Sequence, residues 1–219
     1  MNKVFLSVIV LCLPLLAEAA GGGNNEYIVH APINLDDKVS LQRGAQIFVN
    51  NCLGCHSAQY MRYGRVAEDL GIPPEIMREN MMFTTDRIGD TMHTAMPGDL
   101  GKKWFGVVPP DLTLVARVRG EDWLYSYLTN FYEDESRPWG VNNHVFPDVA
   151  MPHVLSNMEM ELGEDKFNEA MADLTNYMVY MAEPIRAERE RLGVYVLIFL
   201  AVLAVPVYFL NKEYWKDIH

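Results

Sequence analysis

Cys52-Leu53-Gly54-Cys55-His56 decides how this chain is read. Two thiols at a C-x-x-C spacing can add to the two vinyl groups of one porphyrin, and the histidine that follows is then held against the iron. The run supplies two anchors and one axial ligand together. Rival readings of a C-x-x-C pair fit less well. A redox dithiol is expected beside a βαβ pattern, and a zinc site needs two more ligands, usually a second Cys or His pair. The only other cysteine, Cys12, lies in an apolar stretch near the N-terminus. The expected cofactor is one covalent haem c, with Cys52 and Cys55 as anchors and His56 as an iron ligand.

Two apolar blocks bound the 219-residue chain. The first follows Lys3, runs from Val4 to Leu16 and closes on Ala17-Glu18-Ala19-Ala20, small residues at the spacing a signal peptidase accepts. Residues 1–20 therefore read as a cleaved signal peptide. Export agrees with the motif, because c-type haem is attached outside the cytoplasm. With Cys52 and Cys55 committed to haem, no structural disulfide is available in a compartment that would otherwise favour one.

The second block, Leu192 to Leu210, contains no charged residue. As a helix it would be about 28 Å long, close to the hydrocarbon thickness of a bilayer. Pro206 near its far end is tolerated in a membrane helix. Arg186, Arg189 and Arg191 precede the block and only Lys212 and Lys216 follow it, so the positive-inside count alone points the wrong way. A cleaved export signal overrides that count, since long domains translocate largely regardless of charge. The expected layout is a periplasmic haem domain over residues 21–185 and a helix over 186–211 with its inner-membrane anchor at 192–210. A cytoplasmic tail follows at 212–219. The net charge of -11 survives removal of signal and tail and argues against a nucleic-acid partner.

Between the end blocks the pattern is helical with long loops, giving an all-α domain plus one transmembrane helix. Residues 24–38 read as an extended arm. Ser40 is a suitable helix N-cap, and Leu41, Gly44, Ala45 and Phe48 fall on one face leading to the haem cysteines. Gly44 costs such a helix ~1 kcal/mol relative to Ala, a cost explained if another helix crosses closely there. The candidate partner spans 166–181, where Ala170, Leu174, Tyr177, Met178 and Met181 recur at helical spacing. Shorter helices are expected at 75–80, 111–118 and 121–132, between turns rich in proline and glycine.

His56 occupies one side of the iron, and the other side separates an electron carrier from an open catalytic site. Of thirteen methionines, most sit in helical or apolar stretches and suit a core. Met96 and Met151 remain, each followed by proline in a loop. Met96 is 40 residues beyond His56 and Met151 is 95 beyond it, just before the closing helix. The later position lets the loop cross the haem face before the last helix locks the first, which favours Met151. His30, His93, His144 and His153 are alternative ligands that better suit surface or loop roles.

The order of elements adds what single motifs do not. Arg43-Gly44 and Phe48 lead into C-x-x-C-H-Ser57; Tyr60 and Tyr63-Gly64 follow; then come Pro109-Pro110-Asp111-Leu112, Arg117-x-Arg119, Gly120-Glu121-Asp122, Ala150-Met151-Pro152 and Ala182-Glu183-Pro184 before the anchor. This succession resembles the cytochrome c1 family, the haem c subunit of the cytochrome bc1 complex, over nearly all of the mature chain. The resemblance implies that Met151 is the sixth ligand, that Pro110 and its neighbours line the haem pocket, and that Arg119 reaches a haem propionate, a forked donor matched to a carboxylate. It also implies a redox subunit of a quinol–cytochrome c reductase, with cytochrome b, a Rieske iron–sulfur protein, membrane lipid and a soluble cytochrome c or equivalent acceptor as partners. Two other functions suit a tethered haem c: a peroxidase or reductase with an open iron site, and a cytochrome feeding a terminal oxidase.

Overall fold

The computed structural model describes residues 26–217. The signal peptide expected at 1–20, with Cys12, lies outside the described residues.

The first described helix, α1 (Lys38–Asn51), starts at Asp37, not at Ser40. The Asp37 carboxylate accepts from the Val39 and Ser40 amides, satisfying donors that a helix start leaves unpaired. Ser40 lies inside the helix, buried, where its hydroxyl accepts from Asn176. Both residues are good caps by type, but Ser40 is buried against Asn176 while Asp37 is exposed at the helix start and turns its carboxylate to the free amides.

The expected crossing at Gly44 is present. The partner helix α8 (Glu164–Ala182) lies so close that a β-carbon on Gly44 would sit 2.0 Å from the Asp173 carbonyl oxygen and 2.7 Å from the Tyr177 β-carbon. Leu41, Ala45 and Phe48 of α1 are buried, as are Leu174, Tyr177, Met178 and Met181 of α8. The Phe48 and Tyr177 rings pack 5.5 Å apart, and the Arg43 guanidinium grips the Asp173 carboxylate at the rim. The closing helix thus holds fast the helix that ends at Cys52.

The remaining elements arrange themselves around this pair. Strand β1 (Ala58–Arg62) pairs antiparallel, with an irregular register, with the two-residue β2 (Thr91–Met92). Between them lie α2 (Tyr63–Leu70) and α3 (Pro74–Met81), whose buried faces carry Tyr63, Val66, Leu70, Met77 and Met81. Next come α4 (Gly98–Phe105), α5 (Val115–Arg119) and α6 (Glu121–Thr129). A ribbon of β3 (Phe131–Glu133) and β4 (Val141–Asn143) and the short α7 (Ser156–Leu162) lead into α8. The fold is mostly helical, as expected, with two small ribbons added.

Two expected helices are shorter than their sequence pattern. Residues 111–114 precede α5 because the Asp111 carboxylate captures the Thr113 amide and hydroxyl and the Gln59 amide, a local turn that competes with helix. The helix expected over 121–132 stops at Thr129, and Phe131 starts a strand instead. The arm is extended but fastened: the Val29 amide donates to Ser126 Oγ (2.9 Å), the Ala31 amide to Asp122 Oδ1 (2.8 Å), and Asn34 exchanges hydrogen bonds with Asn176.

After the Glu183-Pro184-Ile185 turn, α9 runs from Arg186 to Tyr214, with Pro206 inside it and no residue buried. It is long and apolar enough to cross a membrane. Its basic start is tied to the preceding elements: Arg186 bridges to Glu121 at 2.6 Å and Arg189 to Glu183 at 2.6 Å.

Candidate haem site

The C-x-x-C-H run closes α1 in a tight turn, with the Cys52 amide bonded to the Phe48 carbonyl and the Cys55 and His56 amides both bonded to the Cys52 carbonyl. Both cysteines are free thiols. Cys52 is buried, and burial pushes its thiol up to about 12, so it is protonated near neutrality.

The turn is held from two sides. Thr94 Oγ1 donates to the Gly54 carbonyl (2.7 Å) and the Thr94 amide to Ser57 Oγ (3.1 Å), while the Leu112 amide donates to the Ser57 carbonyl (2.9 Å). Pro110 stands next to His56: its carbonyl oxygen is 2.8 Å from His56 Nδ1. A carbonyl only accepts, so Nδ1 carries the proton and the Nε2 lone pair is left for a metal. Burial lowers the affinity of His56 for a second proton, against the opposing pull of the Pro110 carbonyl and Asp111, which keeps the imidazole neutral and able to ligate. The structure brings together Cys52, Cys55, His56 and Pro110.

Met151 and Arg119 each touch a side chain of α6. The Tyr127 hydroxyl donates to Met151 Sδ at 3.3 Å, and the Tyr127 ring lies parallel to Trp123 at 5.1 Å. The Arg119 guanidinium lies 5.1 Å from the Trp123 ring centre and 5.7 Å from that of Phe146, and has no carboxylate partner among the described residues. The Met151 loop is fastened through side-chain amides. Asn143 Oδ1 accepts from the Val145 and Phe146 amides, Asn142 Oδ1 from the Asp148 amide, and Asn143 Nδ2 donates to the Tyr127 carbonyl. Asp148 adopts a left-handed φ of 62° and its carboxylate is bridged by Arg137 at 2.8 Å.

The other ligand candidates have different neighbours. Met96 packs its thioether against α4, where a β-carbon on Gly101 would meet the Met96 methyl at 3.3 Å. His30 pairs with Asp122, and His93 is exposed. His144 is stacked between Tyr27 and Tyr132. His153 stacks on Phe131 at 4.6 Å with Nε2 on Glu159 at 2.7 Å. Tyr127, Asn142 and Asn143 are not among the residues that the sequence motifs single out. The aromatic spacing Trp123, Tyr127, Phe131 was the available signal, since such a ladder marks one helix face.

This donor set fits a covalently held haem: two uncrosslinked thiols one helical turn apart, an imidazole with Nε2 free, and a thioether held in a fastened loop. A structural zinc site gains nothing, as no group of three or more His, Cys, Asp or Glu is placed to hold a metal among the described residues. Comparison with known sequences agrees. The model of the Cytochrome C1 family matches residues 27–218. The chain is 46% identical to cytochrome c1 of Allochromatium vinosum, with 100% of each covered. It is also 42% identical to a protein of Nitrosomonas europaea named ammonia monooxygenase gamma subunit, with 98% of each covered. A chain of a hyperthermophilic respiratory complex III superposes with a TM-score of 0.47 at 18% identity, covering 99% of this chain and 97% of the other.

Proposed function

The chain belongs to the cytochrome c1 family, an electron-transfer subunit of the cytochrome bc1 complex with one covalent haem c, and on that premise we propose how its residues carry the function. Cys52 and Cys55 anchor the haem, His56 and Met151 ligate its iron, Pro110 lines the pocket and Arg119 pairs with a propionate. Electrons arrive from a Rieske iron–sulfur protein and leave to a soluble cytochrome c or an equivalent acceptor. Cytochrome b and membrane lipid surround the anchor. Residues 1–20 are the signal, 21–185 the periplasmic domain, 186–211 the helix with the inner-membrane span at 192–210, and 212–219 the cytoplasmic tail.

The observation that carries the ligand assignment is the hydrogen bond from His56 Nδ1 to Pro110, which fixes tautomer and ring orientation beside two free thiols. When bound, haem c supplies a one-electron iron centre. The chain's own part is to hold that centre still, so that little rearranges as one electron enters and leaves, and to exclude water from it. The ties from Arg186 to Glu121 and from Arg189 to Glu183 support the proposed orientation, because those basic residues serve the haem domain's surface and need not mark a cytoplasmic flank.

Gentle solubilisation tests the assembly. Recovery of this chain with a dihaem cytochrome b and a Rieske protein is the expected result; recovery with an ammonia monooxygenase or a terminal oxidase in their place overturns it. Truncation before Leu192 is expected to release a soluble domain with an unchanged haem spectrum. A truncated domain that still sediments with membranes lacking the other subunits contradicts the placement of the anchor.

A further inference from the structure

Beyond the ligands themselves, the geometry points to Tyr127 as a positioning residue that holds the Met151 thioether and sets the reduction potential by donating a hydrogen bond to its sulfur. This inference rests on Met151 being the sixth ligand. Its motive is the 3.3 Å contact from Tyr127 Oη to Met151 Sδ, made by a side chain with little freedom. The Tyr127 ring is parallel to Trp123 at 5.1 Å and meets Phe131 edge-on at 5.3 Å. Phe131 in turn stacks on His153, two residues beyond the methionine, and the Tyr127 carbonyl accepts from Asn143 of the strand that opens the Met151 loop. One face of α6 and its extension therefore grip the loop at three places, and only one of the grips reaches the sulfur.

A thioether has two lone pairs, so one can face iron while the other accepts the phenol proton. The accepted bond draws electron density from sulfur and makes it a poorer donor to ferric iron, which favours the reduced state. Tyrosine keeps its proton throughout; the exchange is one electron in and one electron out.

The test uses the full-length holoprotein in its solubilised complex. Tyr127→Phe keeps the ring and removes the hydroxyl. The expected result is intact haem attachment and six-coordination, with the ratio of reduced to oxidised protein at a fixed ambient potential falling about threefold to tenfold. At 59 mV per decade that is a midpoint lower by roughly 30–60 mV. The methionine-to-iron charge-transfer band should shift with it. In the wild-type protein, exchange of the hydroxyl proton for deuterium should shift the iron–sulfur stretching frequency, a reading that decides the matter if the variant fails to assemble. An unchanged midpoint in Tyr127→Phe, or no deuterium shift, overturns the inference. Met151→Leu run in parallel separates the two levels: if it leaves the haem spectrum unaltered, the ligand assignment fails. If it alters the spectrum while Tyr127→Phe changes nothing, only the role of Tyr127 fails.

Discussion

Met151→Leu is expected to lower the reduction potential by on the order of 0.2 V and to let the reduced protein bind carbon monoxide. Axial ligands move haem potentials over about 0.8 V in all, so loss of a thioether is a large fraction of that range. Leucine has nearly the shape of methionine, and such a swap costs a core under about 1.5 kcal/mol. The Tyr127 hydroxyl, half-buried beside it, loses its acceptor at a cost of ~1 kcal/mol. The protein should therefore fold and keep its haem, leaving the changed spectrum as a statement about ligation. Redox titration and a carbon monoxide difference spectrum measure the two effects. Met96→Leu is the control, because its thioether packs on Gly101 of α4 and should leave both readings unmoved. If Met96→Leu opens the iron and Met151→Leu does not, the assignment is reversed. Ready binding of carbon monoxide by the reduced wild type would favour the open-site enzyme.

The parts of the site legible in sequence were those fixed by covalent chemistry or by cost. The spacing of Cys52, Cys55 and His56 is one that a porphyrin would dictate, so it can be read without the fold. Gly44 was legible because a mid-helix glycine is unfavourable unless a neighbour needs the space. Asp37 and Ser40 could not be ranked as caps by residue type, since both accept from the same kind of amide and only the three-dimensional start of α1 distinguishes them. The ribbon of β3 and β4 was hidden inside a pattern that continued the helix of Glu121 past Thr129. Strand pairing with Val141–Asn143 outweighs local preference there. The same pairing places Asn142 and Asn143 where they fasten the Met151 loop, so those residues could not be found without it.

Gly44→Ala is expected to destabilise the holoprotein by roughly 2–4 kcal/mol, although alanine is the better helix former by ~1 kcal/mol. The added carbon would lie 2.0 Å from the Asp173 carbonyl oxygen and 2.7 Å from the Tyr177 β-carbon. Neither atom is the free end of a flexible chain, so relief requires α1 and α8 to move apart by an ångström or more. Overpacking of that kind typically costs 1–3 kcal/mol, and separation also weakens the Phe48–Tyr177 contact and the Arg43 grip on Asp173. The steric cost exceeds the propensity gain. For a chain of this size each kcal/mol is worth about 2–4 °C, so the midpoint should fall by roughly 5–15 °C in a circular-dichroism melt of the solubilised protein. Gly89→Ala, where an added carbon meets nothing within 4 Å, should stay within about 0.5 kcal/mol of wild type. The strain is carried along α1 to Cys52 at its end, so the haem spectrum of Gly44→Ala should broaden before the melt begins. A variant that melts higher than wild type would mean that α1 and α8 do not cross at Gly44, and that something other than the closing helix holds the haem cysteines in place.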